Sequence, residues 1–249
     1  MKTNRPVTPS GPSPRKIAIA TGALYLITHV TSVGAVPLYG SILSDASYVL
    51  GAGPDTPVLA GVLFEVILAL AIVGTAVALY PIVKGWNQGV ALGYVGLRTL
   101  EAAVVAVGVM PLLVIVTLRQ NLSGSIAADT TTLIMLDNVL MSFHNWTFLI
   151  GPGLVCGANT VLMAYLMYQS RLVPRFIPVL GLIGGPLIFA YNTLKMFGVD
   201  LPAWTGVVVI PIFAWELTLA LRLIVKGFNS AALAATPVTR ATTELLTAA

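Results

Sequence analysis

VLAGVLFEVILALAIVGTAVALYPIV, residues 58–83, decides the architecture of this chain. Its 26 residues include a single charged side chain, Glu65. A helix rises about 1.5 Å per residue, so about 20 apolar residues cross a hydrocarbon core of about 30 Å. The segment is long enough to span a bilayer and too apolar to lie on a water-facing surface. Outward from it, five further stretches have the same character: Ile17–Leu38, Gly89–Leu118, Val139–Tyr168, Ile177–Phe197 and Trp204–Lys226. The short alternating segments of a membrane β-barrel are absent from the sequence.

Composition agrees. Hydrophobic residues make up 57% of the 249 and charged residues 9%, where a soluble domain carries about 25% charge. The predicted fold is therefore all-α, an integral membrane bundle of six transmembrane helices. Residues 15–227 form that domain, between a disordered leader, 1–14, and a mobile tail, 228–249, rich in Ala and Thr. A cleaved signal peptide is the alternative for the first span, with Val33-Gly34-Ala35 as the small-residue site. The span outruns a usual signal core and is read as membrane-embedded. Pro37, Pro111, Pro152, Pro186 and Pro211 are expected to kink their helices.

The net charge of +4 is distributed by topology rather than as a nucleic-acid patch. With the N-terminus inside, Lys2, Arg5, Arg15, Lys16, Lys84, Arg171, Arg175, Lys226 and Arg240 all face the cytoplasm. The outer segments carry Asp45, Asp55, Asp129 and Asp200, and Arg119 is the exception. Both termini are expected to be cytoplasmic. Glycines four apart, Gly89 and Gly93, Gly153 and Gly157, Gly181 and Gly185, predict close helix packing within the bundle, with a dimer face as the alternative. The oligomeric state is not encoded legibly.

Ionisable and amide side chains inside the spans are costly in hydrocarbon and mark where function is written. They are His29, Glu65, Arg98, Glu101, His144, Asn145, Asn159, Asn192, Lys195 and Glu216. Counting helical rise, Arg98 lies about 14 Å and Glu216 about 15 Å from the inner edge, which predicts a buried pair of opposite charges. His29 and Glu101 both lie about 18 Å up, which predicts a hydrogen bond between them. Glu65, His144, Asn192 and Lys195 sit higher, within about 10 Å of the outer edge, so the polar residues predict a pocket leaning outward.

Motifs for chemistry are few. No Gly-rich phosphate loop, HExxH or GxSxG segment occurs, so a serine hydrolase is unsupported. Two histidines and one cysteine, Cys156, are poor material for structural zinc, and no metal site is expected. Haem held by His29 and His144 requires equal depth, whereas the count separates them by about 5–12 Å. The sequence identifies no cofactor.

Arg15-Lys16-Ile17-Ala18, Leu24-Tyr25-Leu26-Ile27-Thr28-His29 and Ala78-Leu79-Tyr80-Pro81 resemble the bacterial family called domain of unknown function 4386. So does Ala91-Leu92-Gly93-Tyr94-Val95-Gly96-Leu97-Arg98 with Thr99-Leu100-Glu101-Ala102, whose Arg-x-x-Glu is the most specific part. The resemblance runs from about Arg15 to Lys226. It implies a multi-pass protein of the bacterial cytoplasmic membrane and brings no activity with it.

Three functions remain in order. The first is binding, or passage, of a small or amphipathic molecule, with Arg98 and Glu101 at the pocket floor and Glu65 and His144 on its upper wall. The second is a membrane redox protein or enzyme using His29 and His144. The third is a structural or regulatory subunit without a ligand. Whether the protein is an enzyme is left open by the sequence. The lipid bilayer is the one partner the composition demands.

Overall fold

The computed structural model describes residues 12–45, 47–51, 53–122 and 129–236. Residues 1–11 of the leader and 237–249 of the tail lie outside the described residues. No β-strand occurs among the described residues. The long helices are α1 (Pro14–Ser44), α2 (Thr56–Val83), α3 (Gln88–Leu122), α4 (Thr130–Phe148), α5 (Cys156–Ser170), α6 (Phe176–Met196) and α7 (Val209–Val225). A π-helical turn, Leu149–Val155, joins α4 to α5 in one continuous rod. A five-residue helix, α8 (Ser230–Ala234), follows α7.

Six segments are long and apolar enough to cross a membrane, and α4 and α5 together form the fourth. Their chemistry explains their ends. Pro57 stands in the first turn of α2, where its missing N–H is harmless. Asp129 caps α4 by accepting from the backbone N–H groups of Thr131 and Thr132. The hydroxyl of Thr132, then these amides, hold its carboxyl below the usual range. Gly227, at φ 70°, takes the left-handed conformation that stops α7, and its N–H returns to Arg222 and Leu223.

The helices stand side by side in chain order and the ring closes where α7 packs against α1. Short connections make neighbours antiparallel, so both ends of the described chain lie at one end of the bundle, with Lys84, Arg171, Arg175 and Lys226. Arg15 fastens that closure by donating to the carbonyls of Leu223 and Ile224 at 3.1 and 2.7 Å. The chain past Lys226 also belongs to this end. Phe228 and Ala232 are buried, and the Asn229 N–H donates to Leu172 O at 2.9 Å. The helical body thus runs past the boundary expected at residue 227, because Phe228 and Ala232 supply the apolar contacts that the Ala- and Thr-rich sequence hides.

Two larger cores of unequal reach hold the ring, with a smaller cluster of Leu68, Ala69, Ile72, Ala102 and Val105 between α2 and α3. At the basic end, residues from all six spans interlock, among them Tyr25, Leu79, Tyr94, Met163, Ile177 and Trp215. At the far end the core takes only α1 to α4 and the turn Tyr48–Leu50, through Tyr39, Ile42, Val62, Leu112 and Ile115. No residue of α6 or α7 joins it. Length accentuates the asymmetry. At 34 and 41 residues, the third and fourth spans extend about 50 and 60 Å, well past the hydrocarbon, while 21 residues in the fifth reach about 30 Å.

The far end is fastened by the one basic residue that the topology left out of place. Arg119 donates to Asp55 Oδ1 at 2.8 Å and to the carbonyls of Gly51 and Gly53 at 2.9 Å each. Its guanidinium lies 4.4 Å from the Tyr48 ring centre. Asp55 also accepts from the Tyr48 hydroxyl at 3.1 Å, and burial with this bond pushes that phenol above its usual range. The Arg119 exception is thus a structural staple.

Candidate functional site

Arg98 and Glu101 stand three residues apart on one face of α3, and each is 3% exposed. Arg98 Nη1 donates to Glu101 Oε2 at 3.1 Å, and Nη2 donates to Glu216 Oε1, on α7, at 3.0 Å. Nε donates to the Tyr94 hydroxyl at 3.2 Å, which lies 2.9 Å from the Tyr25 hydroxyl. Asn159 Nδ2, from α5, donates to Glu101 Oε2 at 2.7 Å. One guanidinium therefore ties α3 to α7 and, through Tyr25, to α1. Arginine suits this because its fork offers five donors in a fixed plane.

His29 departs from its expected partner. Its Nδ1 donates to Tyr25 O at 2.8 Å, and its Nε2 stands 3.9 Å from Glu216 Oε2 rather than beside Glu101. Depth counts height along a helix and not direction around it. Since α1 packs on α7, His29 faces α7 and meets Phe213 edge-on at 4.6 Å.

Above this network lies a cavity of about 810 Å³. All six spans line it, and its floor is His29, Arg98, Glu101 and Glu216. Apolar walls come from Leu68, Ile72, Ile188 and Ile212. It occupies the space that the far-end core leaves between α6–α7 and the rest. The π-helical turn shapes one side. Pro152 has no N–H to give, and the wider turn absorbs the break in the ladder. Gly153 in this turn faces Asn192 so closely that an added Cβ would come within 2.7 Å of it.

Glu65, Asn145, Asn192 and Lys195 line this cavity. Asn192 Nδ2 donates to Ile188 O at 2.8 Å, and Lys195 Nζ is 5.6 Å from the centre of the Tyr191 ring. His144 does not line it. Its Nδ1 donates to Gly108 O, on α3, at 2.8 Å, and the ring borders a separate crevice of about 10 Å³ that Glu65 also touches. The carboxylate of Glu65 lies within electrostatic reach of His144. The upper wall expected of the two residues is thus built by Glu65 alone, and the two imidazoles do not converge on one space. The bond to the Gly108 carbonyl of α3 turns the His144 ring away from the cavity. Among the described residues no group of three His, Cys, Asp or Glu could hold a metal ion.

Some features escaped the sequence. Cys156, Trp146 and Phe213 line the cavity, but apolar residues in apolar spans give no signal of it. Asp137 is 1% exposed with both carboxylate oxygens unpartnered among the described residues, and it precedes the span start expected at Val139.

The glycine pairs serve the bundle itself. A Cβ on Gly157 would approach Gly185 O to 2.8 Å, and one on Gly185 would approach Gly157 O to 2.7 Å, so α5 and α6 touch backbone to backbone. A Cβ on Gly181 would crowd Trp215 at 2.8 Å, and one on Gly93 would meet Leu162 at 3.2 Å. Gly89 meets only its neighbour Asn87.

The family model described as Domain of unknown function (DUF4386) matches residues 20–227. The chain belongs to that family. No curated protein and no solved structure matches it. The matched region of this DUF4386 protein contains every residue of the charged network and of the cavity, from Thr28 to Glu216.

Proposed function

We propose that this DUF4386 protein binds a small, amphipathic molecule in the cavity between its six spans, in the bacterial cytoplasmic membrane. The observation that carries the reading is a cavity of about 810 Å³ with a charged floor and largely apolar walls. Ligand sites commonly measure about 300–1,000 Å³ and combine apolar lining with a few converging polar groups. Ionisable residues inside a membrane are expensive unless they do something there.

With the basic end in the cytoplasm, as the distribution of lysine and arginine supports, the cavity lies in the outer half of the bundle. The core at the basic end closes it from the cytoplasm. Binding is preferred to passage, since carriers are usually built from repeats with broken helices on both sides of the site. A second reading, a network that only fixes helix register, draws on the full pairing of Arg98 with Glu101 and Glu216.

The test uses the uncharged fluorophore N-phenyl-1-naphthylamine and the full chain in lipid nanodiscs. Saturable fluorescence above that of empty nanodiscs is expected, and Leu68→Trp, which fills the wall, should abolish it while the unfolding temperature holds. A titration indistinguishable from empty nanodiscs would leave the register reading standing. Sidedness is tested separately, with Ser142→Cys and Lys195→Cys in a Cys156→Ala background. A membrane-impermeant maleimide should label both in intact cells, and labelling only after cells are opened would reverse the topology.

A further inference from the structure

We propose that the ligand of this cavity is a lipophilic cation, an apolar body carrying a protonated amine; the inference rests on the binding reading above. The charged side chains lining the space are Glu65, Glu101 and Glu216 against Arg98 and Lys195. His29 adds no charge in its neutral form. Its Nδ1 must carry the proton, because a carbonyl only accepts, and its Nε2 at 3.9 Å from Glu216 lies beyond hydrogen-bond range. One negative charge is left over.

The location of the surplus matters as much as its sign. Glu101 Oε2 receives both Arg98 and Asn159, so its charge is compensated. Glu216 uses Oε1 for Arg98, and its Oε2 accepts no hydrogen bond among the described residues. Glu65 is 7% exposed and has no ion pair among the described residues, and it lines the same space. Lys195 stands on α6 one turn beyond Asn192 toward the far end, beside the Tyr191 ring and away from the floor. An ammonium group near Glu216 Oε2 would complete that carboxylate with a charge-assisted hydrogen bond. A carboxylate or sulfate in the same position would meet two anions, Glu216 and Glu65, and be repelled by both. Trp146, Phe148 and Phe213 line the space as well, and aromatic faces attract cations and cover apolar bodies equally well. The cation is expected to sit between Glu216 and Glu65, with its apolar body against Leu68, Ile72 and Ile212.

The experiment compares three probes with one cage and different heads: 1-adamantylamine, 1-adamantanol and 1-adamantanecarboxylate. Each is titrated calorimetrically into the full chain in phosphatidylcholine nanodiscs, with empty nanodiscs subtracted. The amine is expected to bind at least about ten-fold more tightly than the alcohol, and the carboxylate more weakly than the alcohol. Glu216→Gln should bring the amine to within about two-fold of the alcohol and leave the alcohol unchanged, which also certifies the fold of the variant. If Glu216→Gln misfolds and loses all three, the wild-type ranking and Glu65→Gln decide, because Glu65 supports no arginine. Equal binding of the three probes, or a preference for the carboxylate, overturns the cation and leaves the binding reading intact. No saturable binding by any of them overturns both.

Discussion

Replacing Arg98 by methionine removes the guanidinium and keeps the apolar stem. Glu101, at 4% side-chain exposure, and Glu216, at 15%, then face each other without a cation. Breaking a buried pair costs about 3–5 kcal/mol, most of it from the charge left behind. Here one residue serves two carboxylates and also donates to Tyr94, a bond worth about 1 kcal/mol. The partial exposure of Glu216 to the cavity discounts its share. A loss of at least about 4 kcal/mol follows. In a chain of this size about 2–4 °C of melting temperature correspond to 1 kcal/mol, so the midpoint should fall by about 8 °C or more. The triple variant Arg98→Met, Glu101→Gln, Glu216→Gln removes all three charges and should recover more than half of the loss. Thermal unfolding in detergent, followed by tryptophan fluorescence, ranks the three proteins. A triple variant no more stable than Arg98→Met would refute the reasoning, because the penalty would then come from lost packing and not from stranded carboxylates.

Other perturbations probe the frame. Gly157→Ala and Gly185→Ala each place a methyl within 2.8 Å of a backbone oxygen across α5 and α6, and each should cost about 1–3 kcal/mol in the same thermal assay. Arg119→Lys keeps the charge at the far end but cannot reach Asp55 and two carbonyls at once; limited proteolysis between residues 47 and 55 should become faster, and an unchanged rate would deny the staple. Asp137→Asn should raise the melting temperature, since it relieves a buried carboxylate with no partner among the described residues; a fall would mean that Asp137 holds something. The Asp129 cap stabilises α4 fully above about pH 4, the ordinary aspartate value, and its contribution is lost as pH falls through the depressed value of the folded state. Relative to the intrinsic exchange rate at each pH, protection in the first turn of α4 should therefore fall at low pH in the wild type and hold steady in Asp129→Asn.

The spans were legible because hydrocarbon imposes one requirement, length without charge, which the sequence displays directly. Arg98 and Glu216 are legible as a pair because they have equal depth and opposite sign, and closure of the ring makes α3 and α7 share the interior. The same count misassigned His29, because height says nothing about azimuth. His144 turns away for a related reason: the carbonyl that accepts from its ring, Gly108 O, lies on another helix. Pro152 reads like the other prolines in the sequence, yet among the described residues only the α4–α5 rod widens into a π-helical turn. Arg119 did carry a signal. A basic residue on the wrong side of a strong charge asymmetry points to an acidic partner at the same end, and Asp55, just before α2, is that partner.

The cavity itself could not be read from any residue, since it results from where packing stops. The far-end core recruits α1 to α4 because Tyr39, Ile42, Val49, Leu112 and Ile115 fill that side, whereas α6 and α7 present Asn192, Lys195 and Glu216 toward the interior. Polar side chains do not interlock in hydrocarbon as branched aliphatics do, so this side stands away from the others. The basic-end core then acts as a floor that holds the ring together while its upper half stays open. Arg98 lies at the junction of the two regimes. Below it, Tyr25, Tyr94 and Trp215 are each about 1% exposed; above it, Glu216 turns one carboxylate oxygen to the cavity. A residue that only locked the fold would need no open space beside it, and this one borders a cavity of about 810 Å³.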